Sequence, residues 1–437
     1  MELKKLLAQS LSWRGLYFCS LLLVNVFLAR YLQASVAGNI YFLTSIFSFI
    51  QIVASLSLEA GITFFASGKL IRSNKLLWLS ISWSSLVGLV VLSCSVIYFH
   101  FIYPVDISLQ VMYGFFVVTY VMGMLLTNNS TVLFYTQDNF VLPNLLLLIT
   151  NIIFVFLIPK HEVISDDMYA DKILYTYFFL FLFQGFLLST AFAIKNKSFK
   201  EFSLPSKKDN TALFRYSLIS LAASLVFFLV YRIDYYFVHI SPVCTDADLG
   251  NYIQVSKIGQ LLLVIPQIIA SVVFPRSASG HMREELNTAL MIIARLLLQF
   301  FLLLFIVIFF MGDWLFPAVF GSTFNKMNLP FLILLPGIFA LSVLALLSAY
   351  FSGKGNVRVN LEGAIIALIF VLAGDYFLVP YYGIVAAAGI STVGYCINLA
   401  YSLRQFYKDY SVNLVEFFRW RKTDYHWLKS LLTRNNS

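Results

Sequence analysis

The chain has 437 residues, of which 60% are hydrophobic and 12% are charged, and its mean hydropathy is +0.83. A water-soluble domain of this composition would expose very large apolar patches, so the composition excludes that class and predicts a membrane protein with many spans. The formal net charge of +9 reflects Lys and Arg residues at the ends of these spans, and it requires no nucleic-acid partner.

The first half of the chain contains six apolar runs, each near the length of about 20 residues that a helix needs to cross a bilayer. They lie near residues 11–31, 38–58, 76–101, 108–127, 141–159 and 173–194. Two of these runs carry polar side chains at helical spacing. Asn25 shares a face with Arg14 on the first, and Gln51 follows Thr44 and Ser48 on the second. Such stripes indicate either a wet interior or close packing between helices.

An acidic residue, Glu59, ends the second run on the same face as Gln51. We expect it to form an inner gate by pairing with Arg14 or Arg276 when the protein is closed toward the cytoplasm. Ion pairs of this kind are bistable devices whose loss shifts the balance between conformations.

A basic polar segment, KNKSFKEFSLPSKKDN at 195–210, separates these six runs from six more. The predicted organisation is an N-terminal six-helix bundle, a cytoplasmic linker, a C-terminal six-helix bundle and a basic amphipathic cytoplasmic tail, at residues 1–200, 201–211, 212–405 and 406–437. The segments that begin at Ala37 and Leu249 are weakly similar. This similarity fits the internal repeats on which many transporters are built.

The second half contains apolar runs near residues 212–238, 250–274, 288–311, 328–351, 361–380 and 382–403. The first of them ends in FFLVYRIDYYFVHI, which places Arg232 and Asp234 inside an apolar run, and Lys257 lies in the next. Charges persist in a bilayer only near an interface, in a pair or in a polar cavity. Two interpretations follow: Arg232 and Lys257 line a cavity, or Lys257 forms an ion pair with Asp234.

Positive residues predict the orientation, because cytoplasmic segments retain Lys and Arg. With the N-terminus inside, 21 of the 30 Lys and Arg residues lie in cytoplasmic segments and four lie outside, so both termini are predicted to be cytoplasmic. Arg215 and Arg295 lie within about two turns of the cytoplasmic interface, and we expect both to extend toward lipid headgroups. The tail at 411–437 mixes aromatic and basic residues, which predicts an interfacial helix or, alternatively, an unstructured basic tail.

Cysteine and histidine positions predict no metal or cofactor site. Of the four cysteines, only Cys244 lies in a predicted outer loop, and no histidine has a ligand partner at helical spacing. The sequence also has no ATP-binding loop.

The second half contains, in order, RIDYYFVHI, DLGNYIQVSKIGQLLLVIPQIIASVVFPRSA, LFPAVFGSTF and FLVPYYGIVAAAGISTVGYCIN, and the first half contains LARYLQASVAGNIYFLTSIFSFIQIVASLSLEAG. With these segments, residues 10–405 resemble the polysaccharide biosynthesis branch of the multidrug/oligosaccharidyl-lipid/polysaccharide (MOP) exporter superfamily, the O-antigen and capsule repeat-unit flippases. The resemblance implies twelve transmembrane helices in two six-helix bundles around a central cavity that opens alternately to each side. It also implies a protein of the bacterial cytoplasmic membrane that carries an undecaprenyl-pyrophosphate-linked oligosaccharide outward.

With this substrate, Arg232 and Lys257 are the expected outer contacts of the pyrophosphate and Arg14 is the inner one. The expected sugar contacts are Asn25, Gln51, Gln254, Tyr231 and Tyr235. Glu59 and Asp234 are candidates for gating or coupling, with a proton or sodium ion as the coupling cation and membrane lipids around the bundles.

Two other functions are compatible with a polytopic protein. A cation-coupled multidrug extruder of the same fold would carry a carboxylate on a polar face deep in the first bundle. A membrane enzyme, such as a repeat-unit polymerase or a lipid-dependent glycosyltransferase, would normally carry a large outer loop for its chemistry.

Overall fold

The computed structural model of the protein describes residues 3–159, 168–200, 202–279 and 283–410, together with Arg419 and Asp424. Within these ranges the regular elements are helices, and no β-strand is present. The chain divides into two compact units, unit 1 (Met1–Phe228) and unit 2 (Leu229–Ser437). The all-α class predicted from the hydropathy pattern is therefore confirmed.

Unit 1 is built from the helices α1 (Leu3–Ser55), α2 (Leu58–Ser67), α3 (Ser73–Ile97), α4 (Ile107–Tyr135), α5 (Val141–Leu157), α6 (Met168–Lys195) and the first part of α7 (Lys207–Ile240). Its core includes Leu58 and Ile62 of α2, Phe134 of α4, Phe192 of α6 and Leu213 of α7, all of which are buried. Apolar side chains from these helices therefore pack against one another in a common core.

Unit 2 contains the end of α7 and the helices α8 (Asp246–Leu262), α9 (Val264–Ser279), α10 (Arg283–Phe320), α11 (Asn328–Gly353) and α12 (Val357–Tyr410). The helix α11 is the central one, because it packs against α8, α9, α10 and α12. Its buried residues include Phe331, Leu335 and Leu347.

The boundary between the units lies inside α7, whereas the sequence predicts it at the linker 201–211. Two close contacts join the first part of α7 to α2. A Cβ on Gly61 would lie 2.4 Å from Ser217 Oγ, so only glycine permits this approach. Ser57 Oγ also donates to Ser224 Oγ at 3.3 Å. The first part of α7 consequently belongs to the N-terminal unit.

Two long helices are bent at single residues. Gln33 (φ 59°, ψ 171°) interrupts the 53 residues of α1, and Gly383 (φ 57°, ψ −139°) interrupts the 54 residues of α12. Glycine is suited to the left-handed region, whereas the value at Gln33 is strained. A third break, at Leu56 (φ 49°) and Ser57 (φ 52°), separates α1 from α2. The bends lie close to the predicted ends of spans.

Nine helices within the described ranges are long and apolar enough to cross a membrane, and α2 and α5 are shorter apolar helices. The protein is therefore a multi-pass membrane protein, as the composition predicts. Its exposed surface carries many large apolar side chains, such as Leu89, Phe156 and Phe310, which a bilayer would cover.

The two described residues of the tail contact α10. Arg295 Nε lies 3.1 Å from Asp424 Oδ2, in an ion pair that lacks the alignment of a hydrogen bond, and Arg295 Nη1 donates to the carbonyl of Arg419 at 3.0 Å. The expectation that Arg295 extends to headgroups is wrong, because its side chain is only 5% exposed. The predicted interfacial helix at 411–437 otherwise lies outside the described residues.

Candidate substrate and coupling sites

The predicted outer cations lie together in unit 2. Arg232 on α7 donates through Nη2 to Gln260 Oε1 at 3.0 Å, and its guanidinium lies 5.6 Å from the centre of the Tyr235 ring. Lys257 on α8 is close enough to Arg232 for the two charges to repel. Both cations are half-buried. The structure thus brings Arg232 and Lys257 near each other in unit 2, and their role in binding stays a prediction.

Sequence reasoning missed Gln260, which holds the Arg232 guanidinium. Its spacing was a usable signal, because Gln254, Lys257 and Gln260 follow one another at three-residue intervals and lie on one side of α8. A glutamine that orients an arginine fixes the direction of its remaining donors, which favours recognition of an anion by a defined geometry.

Asp234 of unit 2 is a buried carboxylate, only 1% exposed, that accepts several hydrogen bonds. Its Oδ1 accepts from the Tyr235 backbone N–H at 2.9 Å, and its Oδ2 accepts from the Tyr252 hydroxyl and from Ser391 Oγ, the latter at 3.0 Å. These three donors are neutral, so the hydrogen bonds of the carboxylate do not depend on Lys257. They join α7, α8 and α12 at one point.

A second carboxylate, Asp375 on α12, is completely buried. Within the described ranges neither of its oxygens has a hydrogen-bond partner, and its charge interacts with that of Asp234. Asp375 was not among the candidate site residues predicted from the sequence. A buried carboxylate without donors is costly unless it is protonated or binds a cation. Asp234 and Asp375 thus place two buried, interacting carboxyl groups in unit 2.

The other sequence-predicted residues of unit 2 differ in exposure. Tyr231 is partly exposed, and its ring centre lies 5.7 Å from that of Tyr395. Tyr235 is buried, and its ring centre lies 5.9 Å from that of Tyr252. Gln254 is also buried. Tyr231, Arg232 and Lys257 thus offer accessible surface, whereas Tyr235 and Gln254 are buried.

In unit 1, Arg14 lies over the ring of Tyr135, 4.5 Å from its centre. The Tyr135 hydroxyl donates to Asn144 Oδ1 at 3.1 Å, so this contact joins α1, α4 and α5. Glu59 Oε2 is buried without a hydrogen-bond partner in the described part of the chain. In this conformation Arg14 and Glu59 therefore do not form the predicted gate pair, and the side chain of Arg276 is not among those described.

The polar stripes of unit 1 are used mainly for packing. Asn25 Nδ2 donates to the carbonyl of Leu21 at 2.9 Å within α1, and Gln51 is buried. Ser48 Oγ and the Tyr120 hydroxyl are 2.7 Å apart, which joins α1 to α4. Of the two interpretations of these stripes, helix packing accounts for Ser48.

A buried polar network that sequence reasoning missed joins α1, α5 and α6. Asn151 Nδ2 donates to Ser20 Oγ at 2.9 Å, and Gln184 Nε2 lies 2.8 Å from both Thr150 Oγ1 and Asn151 Oδ1. The signal was the presence of Asn151 and Gln184 in the middle of apolar runs. Because these groups satisfy one another, the network holds the helices together rather than facing a ligand.

The sequence was compared with protein families and with curated proteins. No family model matches the sequence. The chain is 21% identical over 238 residues to a probable low-salt glycan biosynthesis flippase, Agl15, of Haloferax volcanii, and the match covers 54% of the chain and 49% of that protein. The chain thus matches about half the length of this curated relative.

Solved structures cover nearly the whole chain. The inward closed lipid II flippase MurJ has a TM-score of 0.69 at 13% identity, over 98% of this chain and 92% of MurJ. An inward-facing multidrug resistance MATE transporter of the MOP superfamily has a TM-score of 0.68 at 12% identity, over 91% of this chain and 96% of that one. The chain has the fold of these transporters. At such identities the similarity does not distinguish a polysaccharide flippase from a multidrug extruder. These similar proteins are named as flippases and transporters, not as enzymes.

Proposed function

We propose that the protein is a flippase that moves an undecaprenyl-pyrophosphate-linked oligosaccharide from the inner to the outer leaflet of a bacterial cytoplasmic membrane, for O-antigen, capsule or exopolysaccharide assembly. The observation that carries this proposal is the proximity of two basic side chains, Arg232 and Lys257, in unit 2. A pyrophosphate has neighbouring oxygens that both side chains can bind by charge-assisted hydrogen bonds.

The helix breaks support a twelve-span interpretation of the fold. Dividing α1 at Gln33 and α12 at Gly383 gives two spans from each, and α8 with α9 forms one. Together with α3, α4, α5, α6, α7, α10 and α11, this makes twelve. The positions of Lys and Arg then favour cytoplasmic termini.

At the proposed substrate site, Arg232 and Lys257 bind the pyrophosphate oxygens by charge-assisted hydrogen bonds. Gln260 accepts from Nη2 of the guanidinium and thereby orients it. The half-exposed ring of Tyr231 lies beside them and offers an apolar face to a sugar. Arg14 remains the proposed inner contact, with its guanidinium placed by Tyr135.

Transport is proposed to be coupled to a proton or sodium ion at Asp234 and Asp375. Asp375 brings two oxygens without hydrogen-bond donors in the described structure, and Ser391 and Tyr252 add hydroxyl oxygens next to Asp234. Because these residues come from α7, α8 and α12, a cation that binds them better in one conformation shifts the population toward it. The membrane potential adds about 2.3 kcal/mol per charge per 100 mV for anions that move outward across the full field.

The alternative function is a multidrug extruder. The similarity of fold to the MATE transporter is compatible with it, but the charges of the accessible side chains near the proposed site are not. Organic cations bind to accessible carboxylates, whereas Asp234 and Asp375 are 1% and 0% exposed. The accessible charges nearby are Arg232 and Lys257, which repel cations.

Flipping of undecaprenyl-pyrophosphate-linked oligosaccharide in proteoliposomes tests the proposal, with a membrane-impermeant glycosidase reporting the lipid in the outer leaflet. Arg232→Ala and Lys257→Ala should each lower the flipping rate at least tenfold, and Arg232→Lys should keep part of it because the charge survives. Arg404→Ala, an exposed arginine on α12, is the matched control and should behave as the wild type.

Two results would contradict the site. The first is normal flipping by both single variants. The second is restored flipping in Lys257→Ala combined with Asp234→Ala, because an ion pair would then explain Lys257. Energised export of an organic cation by the wild type, without flipping, would establish the extruder.

A further inference from the structure

Two adjoining grooves lie at the N-terminal end of α7, on unit 1 and away from Arg232 and Asp234. The larger has a volume of about 840 Å³ and is lined by Lys207, Phe214, Arg215 and Leu218 among others. The smaller, of about 590 Å³, lies on the side of α2. Arg215 borders both grooves, and so does Thr211. The charge distribution places this end of α7 at the cytoplasmic leaflet.

Three cations face these grooves. Lys207, Lys208 and Arg215 are exposed, and in the described part of the chain none of them has a hydrogen-bond or ion-pair partner. Lys207 and Arg215 are eight residues apart and therefore lie on one face of the helix. The nearby Asp209 accepts from Ser206 Oγ at 2.7 Å and does not line either groove.

The position of the lysines is electrostatically unfavourable without a ligand. Both lie in the first turn of α7, where the positive end of the helix dipole disfavours a cation. An anion between the lysines and Arg215 would relieve this repulsion. The charges therefore complement a negatively charged group that is absent from the protein itself.

The walls are apolar. Phe214 and Leu218 line the larger groove, and Phe65 and Tyr216 line the smaller. Among the neutral polar groups, Thr211 Oγ1 already donates to the carbonyl of Lys207 at 2.9 Å. Such walls suit a hydrocarbon chain and offer too few hydrogen-bonding groups for an oligosaccharide.

We propose that these grooves bind an anionic phospholipid of the cytoplasmic leaflet. Its phosphate lies between Arg215 and the two lysines, and an acyl chain lies along Phe214 and Leu218. The negative surface potential of that leaflet concentrates such lipids at this height. The site differs from the proposed substrate site in the ligand it takes, because it binds a phosphate and a chain but no glycan.

Native mass spectrometry of the full-length protein in detergent tests the proposal, with dioleoyl phosphatidylglycerol as the probe and dioleoyl phosphatidylcholine as the neutral comparison. The wild type and Arg404→Ala should retain phosphatidylglycerol in preference to phosphatidylcholine. Removal of each cation should weaken phosphatidylglycerol binding about fivefold, so the triple variant K207A/K208A/R215A should lose it. Arg215→Lys should retain most of it.

Equal retention of phosphatidylglycerol by the triple variant would overturn the proposal, and so would equal retention of the two lipids by the wild type. Displacement by millimolar inorganic phosphate would indicate a site for free phosphate instead. Displacement by the lipid-linked oligosaccharide alone would make the groove a substrate site. If the triple variant does not fold, Arg215→Gln carries the same test, with an expected fivefold loss. Because the readout is lipid binding, failure of the flipping assay leaves this result unaffected.

Discussion

Removing one partner of the buried ion pair between Arg295 and Asp424 should detach the tail from α10. The side chains are only 5% and 2% exposed, so water cannot replace the lost partner. Breaking such a buried pair costs about 3–5 kcal/mol, which corresponds to roughly a 10²- to 10³-fold or larger increase in the population of the detached state. A substitution of Arg295 also loses the hydrogen bond from its Nη1 to the Arg419 carbonyl.

Limited proteolysis of the folded protein measures this opening through the rate of cleavage after Arg419, whose carbonyl accepts from Arg295. Asp424→Asn and Arg295→Met should each raise the cleavage rate by roughly 10²- to 10³-fold or more. The double variant should be less affected than the sum of the two, since no unpaired charge remains buried.

A surface pair provides the control. Arg358 Nε lies 2.6 Å from Glu362 Oε1, but its side chain is 85% exposed. Arg358→Gln should therefore leave cleavage and thermal stability unchanged. If Asp424→Asn also left both unchanged, the buried pair would contribute nothing, and the assignment of the tail to α10 as an anchored segment would be refuted.

Three further predictions concern the proposed transport cycle. Asp375→Asn should abolish the dependence of flipping on a proton or sodium gradient while substrate binding remains; an unchanged dependence would remove Asp375 from coupling. Gln260→Leu should weaken pyrophosphate binding severalfold, because the guanidinium of Arg232 loses its neutral partner, and an unaltered affinity measured by calorimetry would show that Gln260 has no positioning role. Glu59→Gln should increase labelling of a cysteine introduced at Ser55 by a reagent applied from the cytoplasm, and equal labelling in a well-expressed variant would contradict the gate.

The sequence alone was sufficient for the properties that depend on neighbouring residues. Hydropathy over about 20 residues predicts helices that cross a bilayer, because backbone groups in hydrocarbon must be satisfied within each helix. The cationic pair was also predictable, since Arg232 and Lys257 are unusual residues for apolar runs. Glu59 could be identified as a polar end of a span, but its partner could not.

Tertiary packing decided the rest, because side chains far apart in sequence meet only when helices pack. The interaction between Asp375 on α12 and the buried carboxylate of Asp234 on α7 arises only in the folded chain. Arg295 resembled a headgroup contact at its position in a span, yet it lies 3.1 Å from Asp424, a residue of the distant tail. Hydropathy is a property of local sequence, whereas the partner of a buried charge depends on which helices the fold brings into contact.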